Sequence, residues 1–195
     1  MGDTRLTTTN VLSNHFLVAK QCEAFVYVKI KLVNTNGGFV MSKKIGIVYA
    51  SMSGRNQRVA EYLQAQLAKM GQPATLDEIS QFDSQKLLED DAFIVVSYTY
   101  HDGQVPDEAL DFFDDLQTLD LTGKVYALAG SSSIEHEHFG RALDYLDQQL
   151  AHLGALRATA VLKINLDADR ADLARLDAFC RQLIDFMAFQ QQQLV

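Results

Sequence analysis

The sequence predicts a three-layer α/β sandwich, with a five-stranded parallel sheet and helices on both faces. Three observations carry this. Short apolar runs alternate with segments of helical periodicity from residue 41 onward. The run Ala92–Ser97 is continuously apolar, as in a strand covered on both sides. A chain of 195 residues with 48% hydrophobic content has enough apolar surface for one domain with a real core.

The elements follow in order. Ile45–Ala50 is β-branched and apolar and reads as the first strand. Val59, Tyr62, Leu63, Leu67 and Met70 recur at helical spacing, and Gly71-Gln72-Pro73 stops that helix. Ala74–Ile79 is the second strand, and Leu87-Leu88 lies in a short helix. Ala92–Ser97 is the third strand. Leu110, Phe112, Phe113 and Leu116 mark a helix. Lys124–Ala129 is the fourth strand, and Phe139, Leu143, Leu146 and Leu150 line the next helix. Ala158–Ile164 is the fifth strand, and Leu173 to Phe186 carry the closing helix. Gln190–Gln193 is a low-complexity tract.

The first forty residues differ. They carry a net charge of +2, which leaves −10 for the rest of a chain whose total is −8. They show no sustained periodicity, although Phe16–Ala19 and Ala24–Val33 are apolar enough to pair as strands. Met41-Ser42-Lys43-Lys44 runs into the first strand as an ordinary protein start does. Gly37-Gly38 is a pair that a purine-rich stretch ahead of a Met codon would encode. Residues 1–40 are therefore read as a translated leader or a disordered extension, and residues 41–195 as the domain.

Composition excludes several classes. No stretch of roughly eighteen uncharged apolar residues exists, which excludes a transmembrane helix. Two cysteines, Cys22 and Cys180, build neither a disulfide framework nor a cysteine-rich metal site, and point to a reducing compartment, the cytoplasm. The acidic balance argues against nucleic acid and favours basic protein partners, and no membrane partner is expected.

Parallel sheets bind ligands beyond the carboxyl ends of their strands. The loops after strands one, three and four therefore carry the chemistry. Loop one, Ser51-Met52-Ser53-Gly54-Arg55-Asn56, joins a strand to a helix N-terminus. Its hydroxyls, glycine and free N–H groups suit an anion, and an ordinary helix cap explains the same residues. The Gly-Lys-Ser/Thr of nucleoside-triphosphatases is missing. Loop three, Ser97–Pro106, places Tyr98, Tyr100 and His101 where solvent is expected. A flat aromatic ligand stacked on them accounts for this, as does Tyr98 packing on the core. Loop four, Gly130–Phe139, offers hydroxyls and N–H groups to the edge of a heterocycle. His136 and His138, two residues apart, are a poor metal pair, and no metal is expected.

From Lys44 to about Gln190 the chain resembles flavodoxin, the small carrier that binds flavin mononucleotide (FMN). The family's phosphate loop reads hydroxyl-x-hydroxyl-Gly-x-Thr. Ser51, Ser53 and Gly54 match, and Asn56 stands at the Thr. The first flavin loop reads Thr-aromatic-Gly-Asp-Gly and then Pro-Asp-Glu. Thr99, Tyr100, Asp102, Gly103, Pro106, Asp107 and Glu108 match, and His101 replaces the first Gly. Leu121-Thr122-Gly123-Lys124 is similar to the family's lead into strand four. In the second flavin loop Gly130, Ser131 and Phe139 fit. Ser132 and Ser133 replace Gly and Asp, and His136 stands at the stacking Tyr. The lack of a long insertion before the last helix resembles the short-chain subgroup.

The resemblance implies a flavodoxin-like fold and a low-potential, monomeric one-electron carrier rather than an enzyme. It implies FMN phosphate on Ser51, Met52, Ser53, Gly54, Arg55 and Asn56. It implies the flavin ring between Tyr100 and His136. Thr99, His101, Asp102 and Gly103 would meet the ring's redox-active edge and Ser131–Ser133 its pyrimidine edge, and Phe139 is implied as a further cofactor-binding residue. A net charge of −10 opposes an anionic reduced flavin. His101, where Gly eases a peptide rearrangement, implies a smaller gap between the two one-electron potentials than usual. The acidic run Asp107, Glu108, Asp111, Asp114 and Asp115 would steer basic redox partners. The alternative reading is a flavodoxin-like protein with weakened or lost FMN binding that acts as a partner-binding module.

Overall fold

Every strand of the sheet is parallel to its neighbours. A computed structural model describes residues 43–193 apart from Asp102 and His136. They belong to one unit, Val40–Val195; the other, Met1–Phe39, and with it the leader reading and the two apolar patches, lies outside the described residues. The strands are β1 (Ile45–Tyr49), β2 (Ala74–Glu78), β3 (Ala92–Val96), β4 (Val125–Ser132), β5 (Leu156–Arg157) and β6 (Leu162–Asn165). The helices are α1 (Arg55–Lys69), α2 (Leu110–Leu116), α3 (Arg141–His152) and α4 (Arg170–Gln193). The order is β2-β1-β3-β4-β5, with β6 also on β4. This is the doubly wound sandwich that the alternation predicts.

Alternate residues of each strand feed two cores. Ile45, Ile47, Ile94 and Val96 pack with Leu63 and Leu67 of α1 and Phe179 and Leu183 of α4. Val48, Phe93, Val95 and Leu128 pack with Phe112 of α2 and Leu143 and Leu146 of α3. All five residues of β3 are buried. A run covered on both faces has no polar side to show, which is why it reads as continuously apolar. Cys180 lies in the first core, where burial pushes its thiol up to about 12, as suits a structural rather than a reactive cysteine.

Three details differ from expectation. The fifth strand is split: β5 pairs with Val125 and Tyr126, and β6 begins opposite Ala129. Five residues advance from Arg157 to Leu162 against three from Tyr126 to Ala129, so the interruption is a bulge. There the buried Thr159 donates its hydroxyl to the Ala160 carbonyl. Next, Gly130–Ser132 continue β4 rather than opening a loop, because Lys163–Asn165 pair with them. Finally, α4 runs on through the glutamine tract. No helix of the described residues is long and apolar enough to cross a membrane.

At the opposite end of the sheet Asp90 is buried, with Lys44 Nζ at 3.5 Å. Lys124 Nζ donates to its backbone carbonyl. Burial, helped by Glu89, holds the Asp90 carboxyl above its ordinary value, against the pull of Lys44 and Lys124. Folding therefore favours the protonated form. The penalty is absent below the unfolded value, near pH ~4, and complete above the folded one. Asp90→Asn is expected to change stability more favourably at pH ~7 than at pH ~4. Urea midpoints at both pH values read this, and equal shifts would refute it.

Candidate functional site

The loop after β1 ends in an uncapped helix. Gly54 is the N-cap of α1, with φ 78°, and no side chain accepts from the first turn. A left-handed cap is natural for glycine, and the first N–H groups of a helix have no partner within it. Close by, the Ser51 hydroxyl is buried and has no hydrogen-bond partner among the described residues. Free helix N–H groups and an orphaned hydroxyl together call for an anion. Met52 is 70% exposed at the mouth.

Asn56 does something else. It is 3% exposed. Its Nδ2 donates to the Ser131 carbonyl at 3.2 Å, and its Oδ1 accepts from the Ser131 N–H at 2.7 Å. Both ends of the amide hold the peptide of β4. Asn56 is thus a strut between the first loop and the fourth strand, and does not cap α1.

The loop after β3 is a tight turn. Tyr100 and Gln104 exchange backbone hydrogen bonds of 2.9 and 2.8 Å. Gly103 is buried within the turn and donates to the Tyr100 carbonyl. His101, at φ 39°, occupies the left-handed region in place of glycine, which histidine tolerates better than most residues. The Tyr100 ring lies 4.0 Å from His101 and 6.4 Å from Tyr98, centroid to centroid, edge-on in both pairs. Tyr98 Oη donates to the Glu108 carboxylate. Burial first, then that hydrogen bond, raises its ionisation. The Thr99 N–H donates to Ser132 Oγ at 3.0 Å, and Thr99 Oγ1 accepts from Ala142 N at the start of α3. The third and fourth loops are thereby joined.

A fourth segment closes the ring. After β6, Leu166 has φ 55°. Its N–H donates to the Ser132 carbonyl, and its carbonyl accepts from Ser131 Oγ. Asn165 Oδ1 accepts from the Ile134 N–H. Asp167 accepts from Arg58 and from Arg55, and those two hydrogen bonds, Arg58's first, hold its carboxyl below the ordinary range.

These segments enclose a cleft of about 430 Å³, within the range of small-molecule sites. Met52, Ser53, Arg55 and Asn56 line it from the first loop, residues 99–101 from the third and residues 131–133 from the fourth. Ser51 and Gly54 belong to the same first turn without being part of this lining. Phe139 is half-buried, and its carbonyl accepts from Lys163 Nζ. Asp102 and His136 lie outside the described residues. Sequence reading misses Leu166, and it leaves Tyr98 open between stacking on a ligand and packing on the core. Tyr98 packs on the second core and also lines the cleft.

A doubly wound α/β domain whose switch-point cleft joins an anion turn to an aromatic wall is a nucleotide-binding class of protein. Residues 47–176 match the family model for flavodoxin. "Probable flavodoxin 2" of Bacillus subtilis (strain 168) is 32% identical, over 71% of this chain and 93% of its own length. The solved short-chain flavodoxin associated with a non-canonical PDU bacterial microcompartment is 37% identical, with a TM-score of 0.72, over 74% of this chain and 99% of its own. The flavoprotein alpha-component of a Bacillus subtilis sulfite reductase is 31% identical, over 66% of this chain but only 22% of its own. The chain belongs to the flavodoxin family. Members of the family bind FMN and transfer electrons with redox partners; in reductases such as this one, the same domain is one part of a larger enzyme. The orphaned Ser51 hydroxyl and the uncapped α1 fit the phosphate of that group.

Proposed function

We propose that this chain holds FMN in the cleft and carries single electrons between redox enzymes. The carrying observation is the unpartnered, buried Ser51 hydroxyl beside the uncapped start of α1. The phosphate would take Ser51, Ser53 and the N–H groups of Gly54, Arg55 and Asn56. Tyr100 would stack on the flavin, with His136 opposite, and the backbone of residues 100–103 would meet the ring edge. Thr99 and Ser132, bonded to each other, would orient that backbone. FMN supplies the one-electron chemistry; the protein's residues fix its position and surround it with negative charge.

Asp107, Asp111, Asp114 and Asp115 are exposed beside the third loop, which supports a partner with a basic docking surface. Residues 41–195 are proposed as the flavin domain, monomeric and cytoplasmic. Cys180 as a buried free thiol accords with a reducing compartment.

Titrating the full chain with FMN tests this. A yellow complex with quenched flavin fluorescence is expected, and Tyr100→Ala should weaken binding about tenfold. A protein that stays colourless with micromolar flavin would overturn the reading in favour of the partner-binding module.

A further inference from the structure

Arg55 stands on a wall shared by two hollows. One is the cleft. The other is a cavity of about 240 Å³, lined by Arg58, Tyr62 and Asp167 among others. Two arginines share one carboxylate here, and they share it unequally. Arg58 Nη2 lies 2.6 Å from Asp167 Oδ1, whereas Arg55 Nε lies 3.3 Å from Oδ2. Arg55 engages through Nε alone, and its two terminal amino groups have no hydrogen bond among the described residues. Two cations against one carboxylate leave one surplus positive charge, in a chain of net −8. That surplus borders the turn where Ser51 and α1 present their free donors.

We infer that Arg55 is a specificity residue that selects FMN over the same flavin without its phosphate, and that Asp167 and Arg58 tune it from outside the cleft. This rests on FMN occupying the cleft as proposed above. A phosphate monoester carries a charge of about −1.5 to −2 at neutral pH. Guanidinium N–H groups bind such oxygens through charge-assisted hydrogen bonds. Asp167 competes with the phosphate for Arg55. Arg58 occupies Asp167 and so weakens the competition. The loop after β6 thus regulates phosphate affinity without touching the phosphate.

Dissociation constants for FMN and riboflavin, measured by fluorescence quenching, test this. Arg55→Gln should weaken FMN about tenfold and leave riboflavin within about twofold. Asp167→Asn frees Arg55 and should tighten FMN by roughly threefold, whereas Arg58→Gln gives Asp167 to Arg55 and should weaken it by roughly threefold. Arg55→Lys should keep part of the preference, and circular dichroism of each variant confirms the fold. The salt dependence of FMN binding should shrink in Arg55→Gln. If wild type binds neither flavin, the proposed function falls, and this inference with it. If wild type binds FMN and Arg55→Gln keeps the FMN-to-riboflavin ratio, or Asp167→Asn and Arg58→Gln shift FMN in the same direction, only this inference falls.

Discussion

Gly130→Ala is expected to lower stability by about 3 kcal/mol. A Cβ on Gly130 would lie 1.8 Å from the Ser97 carbonyl oxygen and 3.1 Å from Leu143 Cδ1. A side chain in the way can rotate, but Ser97 is backbone at the end of β3. Relief therefore requires β3 and β4 to separate where their cleft-bearing loops begin. In a domain of this size the loss corresponds to roughly 6–12 °C in Tm. FMN binding should weaken as well, because the Thr99–Ser132 hydrogen bond spans the same gap. Denaturant titration reads the first effect and fluorescence quenching the second. A loss under about 1 kcal/mol would mean that the approach relaxes freely, and that this contact does not set the spacing of the two strands.

Asn56→Ala is expected to cost about 2–3 kcal/mol, since it strands the buried N–H and carbonyl of Ser131 together. FMN affinity should fall with it, because the strut holds the phosphate turn to β4. Asn56→Asp separates shape from hydrogen bonding. Its carboxylate still accepts from the Ser131 N–H but cannot donate to the Ser131 carbonyl, and it buries a charge. The variant should be least stable at neutral pH and recover as the pH falls and the carboxyl gains a proton. Urea midpoints across pH check this. A flat profile would show that Asn56 does not depend on its donor.

The first four strands were legible to within a residue or two at each end, except that β4 runs on to Ser132. The side chains of β1, β3 and β4 are buried on both faces, and burial of that kind leaves a local record. The three cleft loops followed from topology and the family pattern. What could not be read depends on partners far along the chain. Asn56 looks like a helix cap or a phosphate donor until Ser131 stands beside it, 75 residues on. Gly130-Ser131-Ser132 is small and hydroxyl-rich, so it reads as loop, and only pairing with β6 makes it strand. Ala158-Thr159-Ala160-Val161 looks like an ordinary strand, and its bulge has no local signature. Leu166 and Asp167 carry no pattern at all; contacts with Ser131, Ser132, Arg55 and Arg58 give them a place at the site.

The bulge between β5 and β6 has a consequence at the rim of the sheet. An edge strand is an open template for a foreign strand, and aggregation starts where that template is long and regular. The outer rim at β5 and β6 has two short pieces out of step with each other, which cannot seat an incoming strand in one register. The opposite rim, β2, ends in Asp77 and Glu78, and two carboxylates in succession repel a second copy of themselves. As the described residues form it, the sheet is guarded at both ends by different means, irregular spacing on one side and charge on the other.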